Sequence, residues 1–138
     1  MVAKTRVAQC ACGGVTATTV GEPDAVSLCH CLACQRRTGS PFGVGAYFPH
    51  SAVTLSGKTK TFVRKVEHTD RTITNHFCPE CGTTIYWMAD LRPNHIGIAV
   101  GNFADPAFRA PTRAVWAQHR HEWITLPPDT PSYPQAAS

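Results

Sequence analysis

Cys78-Pro79-Glu80-Cys81-Gly82 lies between two stretches that read as strands, Arg71–Phe77 and Thr83–Met88. Two cysteines three residues apart on a tight turn aim both sulfurs at one point. Proline stiffens such a turn, and the glycine after the second cysteine is free to take a positive φ. Between strands this is a zinc-knuckle hairpin, and it supplies two ligands of a tetrahedral site. The other reading, a redox CxxC pair, wants a βαβ context with a helix after the second cysteine. Here Gly82-Thr83-Thr84-Ile85-Tyr86 continues as a strand, so metal is the reading carried forward.

A knuckle contributes two ligands, so two more come from elsewhere. Cys10-Ala11-Cys12-Gly13-Gly14 is a natural second half, because residues i and i+2 of an extended segment face the same side. Joining an N-terminal segment to a distant hairpin closes a long loop and stabilises a small fold. A four-thiolate site has no vacancy and a net charge of about −2, the character of a structural site.

Cys29-His30-Cys31-Leu32-Ala33-Cys34 combines both spacings. Cys29 and Cys31 share a face of an extended piece. Cys34 follows one short turn later, at the start of a helix predicted over Leu32–Thr38 and closed by Gly39. The helix N-terminus favours Cys34 as thiolate. Three protein ligands with a vacant fourth position is the usual form of a catalytic zinc site. A closed Cys₃His site, completed by His76 or by one of the pair His119 and His121, fits the spacing as well. Alternation turns His30 away from the Cys29 and Cys31 sulfurs, toward a neighbouring surface or a backbone carbonyl.

Outward from these motifs the chain reads as mainly β, short antiparallel strands with one short helix after the CHCxxC motif. Val15–Val20 alternates Val and Thr, and Gly21–Asp24 is a turn. Phe42–Phe48 reads as a half-buried strand with room on one face beside Gly43 and Gly45. Val53–Leu55 and Thr59–Lys65 read as the arms of a hairpin around Ser56-Gly57. In His95–Val100, Ile96, Ile98 and Val100 share one face, and Gly97 and Ala99 leave the other nearly bare. Arg113–Ala117 and Glu122–Ile124 are weaker strand candidates. Residues 1–126 are expected to form a single domain, and 127–138 a disordered proline-rich tail.

Composition narrows the function classes. The 138 residues are 43% hydrophobic and 16% charged, ordinary for one globular core, and eleven prolines with ten glycines favour short strands joined by turns. Met1–Gln9 has no apolar run behind its two basic residues, so no signal peptide is read. No stretch approaches the roughly 18 apolar residues of a membrane span. The expected location is cytoplasmic, where seven clustered cysteines point to metal more than to disulfides. The formal charge of +4 counts every cysteine as neutral. Seven thiolates around two divalent ions bring the total to about +1, and the basic residues form no stripe, so no nucleic-acid partner is expected.

With the cysteines placed, the chain resembles the glutathione-dependent formaldehyde-activating (GFA) enzyme family. The resemblance rests on Cys10-Ala11-Cys12-Gly13, on Cys29-His30-Cys31-Leu32-Ala33-Cys34-Gln35-Arg36-Arg37-Thr38-Gly39-Ser40-Pro41-Phe42, and on Phe77-Cys78-Pro79-Glu80-Cys81-Gly82-Thr83-Thr84-Ile85. Gly101-Asn102-Phe103, Trp116 and Trp123 extend it to about residues 7 to 126. It implies a zinc-bound β-tent with two Zn²⁺ per chain. It pairs Cys10 and Cys12 with Cys78 and Cys81 at a structural zinc, and makes Cys29, Cys31 and Cys34 the ligands of an active-site zinc. The implied activity is that of a carbon–sulfur lyase, adding glutathione or a related small thiol to formaldehyde or another small electrophile.

On that reading Arg36 and Arg37, just after Cys34, hold a substrate carboxylate; a solvated basic helix face is the alternative. The bare faces at Gly43, Gly45 and Gly97 leave space for a ligand, although glycine in a strand also marks bulges. Two other functions compete with the enzyme: a non-enzymatic zinc module for a protein or small thiol partner, and a redox-labile zinc site. The fourth ligand of the second zinc separates them.

Overall fold

The computed structural model describes residues 3–136 of the 138. Two compact units form, Met1–Asp24 with Ala46–Phe108 and Ala25–Gly45 with Arg109–Ser138, and each carries one group of cysteines. The chain is mainly β. Its elements are β1 (Thr5–Gln9), β2 (Thr16–Val20), β3 (Ala25–Cys29), α1 (Leu32–Thr38), β4 (Gly43–Pro49) and β5 (Val53–Ser56). Then follow β6 (Lys60–Lys65), β7 (Thr72–Phe77), β8 (Thr84–Ala89), β9 (His95–Ala99) and β10 (Arg113–Val115).

In the first unit β1 and β2 form an antiparallel hairpin, and β5 adds to the other side of β2. β1 has no apolar run to announce it. Its strand shows only against its partner, where Ala8 opposes Ala17 and both are buried. The hairpin expected between Val53–Leu55 and Thr59–Lys65 does not form, because β5 pairs with β2 while β6 pairs with β7. Gly57 explains the turn-away: it has φ +97 and packs on the backbone of Gly14 and Val15, leaving no room for a Cβ. The chain is thereby passed on to a new sheet instead of folding back.

Strands β6, β7, β8 and β9 continue as an antiparallel run, with a register shift at His76/Phe77 just before the knuckle. Phe48, Ile85, Ile96 and Ile98 are buried, and Phe103 packs between Phe48 and Phe108. The bare face expected at Gly97 is filled. The Trp87 indole lies where a Cβ on Gly97 would collide with it, and Trp87 Nε1 donates to the Tyr47 hydroxyl at 3.3 Å.

In the second unit β10 runs parallel to β3, burying Val26, Leu28 and Ala114. The proline-rich tail meets β10 over part of its length. Ala114 N–H donates to Pro131 C=O at 2.8 Å, and Tyr133 N–H donates back to Ala114 C=O at 2.9 Å. An unpaired strand edge leaves backbone donors and acceptors to satisfy; Pro131 and Tyr133 satisfy those of Ala114 in β10, and Gln135 accepts the Trp116 N–H that follows. Residues 137–138 of that tail lie outside the described residues. Glu122–Ile124 forms a turn with Ile124 buried, and no strand.

Candidate metal centres

The first cluster is built at two hairpin tips of one design. At the β1–β2 tip, Cys10 N–H donates to Val15 C=O at 3.1 Å and Gly13 N–H returns to Cys10 C=O at 3.0 Å. At the β7–β8 tip, Cys78 N–H donates to Thr83 C=O at 2.9 Å and Gly82 N–H returns to Cys78 C=O at 2.8 Å. Gly13 and Gly82 have φ near +80, the conformation that closes such a tip without a Cβ penalty.

The four sulfurs of Cys10, Cys12, Cys78 and Cys81 all lie within 4.8 Å of one another. Cys10 Sγ to Cys12 Sγ is 3.6 Å, and Cys12 Sγ to Cys78 Sγ is 3.7 Å. Zinc–sulfur bonds of about 2.3 Å in a tetrahedron put sulfurs about 3.8 Å apart, so the residues fit that ion. Backbone and hydroxyl donors already point at the sulfurs. Val15 N–H reaches Cys10 Sγ at 3.3 Å, and Thr83 Oγ1 lies 3.3 Å from Cys81 Sγ.

These donors pull against the sulfurs' mutual repulsion. The Thr83 hydroxyl and N–H, with the Cys12 N–H, bring Cys81 down to about 5. Burial raises the Cys10 thiol, but the Val15 N–H and neighbouring thiols outweigh it, and Cys10 ends below the ordinary thiol range. The Gly14 N–H favours a Cys12 thiolate, yet the three other sulfurs outweigh it and push Cys12 up to about 12. Four thiols packed this closely cannot all ionise without a cation among them, which is the chemistry of a metal-holding set.

The second cluster is local. The sulfurs of Cys29, Cys31 and Cys34 lie within 4.8 Å of one another, at the end of β3 and the first turn of α1. Cys31 is the helix N-cap, its sulfur accepting the Cys34 N–H at 3.2 Å. Gly39 ends the helix at φ +71, as expected. Cys31 and Cys34 contribute buried sulfurs and Cys29 is half-buried. Bonding to the Cys31 and Cys34 sulfurs, then burial, drives the Cys29 thiol far up. Cys29 favours a Cys34 thiolate, but Cys31 and burial outweigh it, so Cys34 is raised despite its place in the helix and the nearby Arg37 charge. Here too a bound cation is what would let the three ionise together.

No histidine or carboxylate joins this triad among the described residues. His76 stacks on Tyr86 with ring centroids 4.4 Å apart, and its Nδ1 is 2.9 Å from Thr59 Oγ1. His119 stacks on Trp116, and His121 Nε2 donates to Gln35 Oε1 at 3.1 Å. His30 is fully buried, with neither ring nitrogen hydrogen-bonded among the described residues. Burial first, then Arg120 and His121, lowers its pKa and keeps the ring neutral.

Arg36 is exposed on the helix, while Arg37 is half-buried. The Arg37 guanidinium occupies the bare side of Gly43, where a Cβ would meet both its Nη2 and the Cys34 Cβ. The space expected beside Gly43 is therefore filled by a cation next to the triad. Gln35, to which the sequence assigns no role, braces the site. Its Nε2 donates to the His30 carbonyl at 2.9 Å and to the His119 carbonyl at 3.2 Å.

A crystal structure of a protein from Rhodobacter sphaeroides shares this fold with a TM-score of 0.53 and 16% sequence identity, covering 92% of this chain and 98% of that one. No curated protein matches the chain. The model of one family, described as glutathione-dependent formaldehyde-activating enzyme, matches residues 5–119, a span that runs from β1 and includes all seven cysteines.

Proposed function

This chain belongs to the glutathione-dependent formaldehyde-activating enzyme family, and from that premise we propose that it adds glutathione or a related small thiol to formaldehyde or another small electrophile. The observation that carries the proposal is the convergence of the Cys29, Cys31 and Cys34 sulfurs with no fourth protein ligand among the described residues. Each chain then holds two zinc ions, a structural one on Cys10, Cys12, Cys78 and Cys81 and a catalytic one on the triad.

A zinc ion on three thiolates would favour the thiolate form of a substrate thiol and polarise a carbonyl oxygen. Because the three thiolates leave the site at about −1, its Lewis acidity is weaker than that of a His₃ site, and orienting the thiol is the larger contribution. The substrate sulfur bonds to the carbonyl carbon, the π pair of C=O passes to oxygen, and that oxygen receives the proton the thiol gave up. Arg37, beside Cys34, binds a substrate carboxylate, with Arg36 adding attraction from further out along the helix. His30, neutral and buried, adds no competing charge next to the triad.

The test compares thiol and formaldehyde consumption with and without protein, because the uncatalysed addition is appreciable. Cys31→Ser should abolish the enhancement and bring metal content to one ion per chain. It should stay folded, since serine is a strong N-cap and keeps a bond to the Cys34 N–H. Arg37→Ala should raise KM about tenfold for thiols bearing a carboxylate and leave uncharged thiols unaffected. No enhancement with any of several thiols would overturn the proposal in favour of a non-enzymatic zinc module.

A further inference from the structure

β6 is the last strand of its sheet, paired with β7 on one side and with no strand on the other among the described residues. The hydrogen-bond phase of the free side follows from its neighbours. Asp90 N–H donates to Thr72 C=O at 3.1 Å, so Thr72 turns its backbone groups away from β6. Val66 N–H donates to Arg71 C=O at 2.8 Å, one step beyond the Lys65–Thr72 pair, which is therefore a non-hydrogen-bonded pair. Alternation carries the pattern along the strand. Lys60, Phe62 and Arg64 bond to β7, and Thr61, Val63 and Lys65 present N–H and C=O to the open edge.

The side chains are as unusual as the edge. Phe62 is 60% exposed and Val63 58% exposed, on opposite faces of the strand. Lys60 and Lys65 are exposed, Arg64 is half-buried, and Lys58 precedes them, while no acid lies in the strand. Charge on an edge strand is a common guard against unwanted pairing. A guard does not account for an exposed aromatic and an exposed β-branched residue at the strand's centre, one on each face. A second copy is a poor occupant. Antiparallel self-pairing centred on Phe62 sets Lys60 of each copy opposite Arg64 of the other, like charges face to face, and the register centred on Val63 sets Phe62 opposite Arg64, with no apolar partner for the ring.

We propose that the free edge of β6 is a docking strand for an extended acidic segment of a partner polypeptide. The segment adds to the sheet through the backbone of Thr61, Val63 and Lys65. It covers Phe62 and Val63 with apolar side chains at its middle and sets carboxylates against Lys60, Arg64 and Lys65. Main-chain bonds supply the affinity, and the order of charge and apolar residues supplies the choice of partner.

The probe is a fluorescent, end-capped hexapeptide of two valines flanked on each side by two glutamates, with a lysine-for-glutamate version as control. The full chain should bind the glutamate peptide at least about tenfold more tightly than the lysine one. Val63→Pro removes an N–H that points to the open edge and spares the bonds to β7, so it should weaken binding about tenfold while the fold is kept. Should that variant not fold, the double variant Lys60→Glu with Lys65→Glu leaves the backbone intact and should reverse the preference to the lysine peptide. Wild-type affinity in folded Val63→Pro, or an unreversed preference in the charge variant, overturns the proposal. Tighter binding of an oligothymidylate than of the peptide overturns it in favour of a nucleic-acid groove, and self-association abolished by Val63→Pro overturns it in favour of a second copy.

Discussion

The two cysteine clusters differ in how the chain builds them, and the difference is not the one exposure suggests. The four-sulfur cluster joins hairpin tips 66 residues apart, measured from Cys12 to Cys78. The triad lies within six residues around the start of one helix. Yet the long-range cluster has two exposed members, Cys12 and Cys81, whereas Cys31 and Cys34 of the triad are 6% and 9% exposed. Number of sulfurs, not depth, makes one set complete and the other short by one. The length of chain spanned would make a metal on the first set the more important to its unit: losing it would free two hairpin tips, whereas losing one from the second would leave α1 with its N-cap bond and its Gly39 closure.

The largest expected effect tests that asymmetry. Structural zinc binds with an apparent free energy of about 10–16 kcal/mol, comparable to the whole stability of a small domain, about 5–15 kcal/mol. Cys78→Ser should therefore remove the cooperative thermal transition, read by calorimetry, and a strong chelator should do the same to the wild type. Cys31→Ser should keep the transition. Equal collapse of both variants would break the comparison, because the triad would then carry the fold as well.

A smaller effect sharpens it. Gln35 ties α1 to the His30 and His119 carbonyls and to the His121 ring, three contacts that orient the helix that carries Cys34. Groups that orient metal ligands in this way are worth about 10–100-fold in metal affinity. Gln35→Ala should weaken the second ion by that factor in a chelator competition, with the first ion and the thermal transition unchanged. A loss shared by both ions would mean that Gln35 supports the fold at large.

Much of this was legible in the sequence wherever ligands and geometry are local. Cys78-Pro79-Glu80-Cys81-Gly82 announced a tip with a positive-φ glycine, and Gly39 announced the end of α1 at Thr38. The convergence of Cys29, Cys31 and Cys34 follows from spacing alone. Contacts between distant segments were not legible. Thr5–Gln9 becomes a strand only because β2 offers it an edge, and Val53–Leu55 leaves its neighbour in sequence for the same strand. Period-2 pattern sets which side chains face in, and does not choose among partner strands. The glycines are ambiguous in the sequence for a related reason. A missing Cβ at Gly97 or Gly43 shows that something needs room, and only packing reveals that it is Trp87 or Arg37 instead of a ligand.

The smallest expected effect concerns Thr83, which bridges the two tips of the long-range cluster. Its Oγ1 accepts the Ala11 N–H at 3.1 Å and lies 3.3 Å from Cys81 Sγ, so its own proton is available to that sulfur. This bond is the first cause of the fall of Cys81 to about 5. A thiol whose folded pKa is depressed contributes stability that is fully present above its unfolded value, about 8.5, and is lost as pH falls through the folded value. Removing the hydroxyl in Thr83→Val raises the folded pKa, so protons displace the first metal earlier in an acid titration. The midpoint of its release should move up by roughly half a pH unit, and Thr83→Ser should restore it. The release of the second metal, whose ligands lie in α1 and at the end of β3, should stay where it was. A shift in both releases would show that the clusters are coupled, and a shift in neither would show that the hydroxyl holds the two tips together without tuning the thiolate.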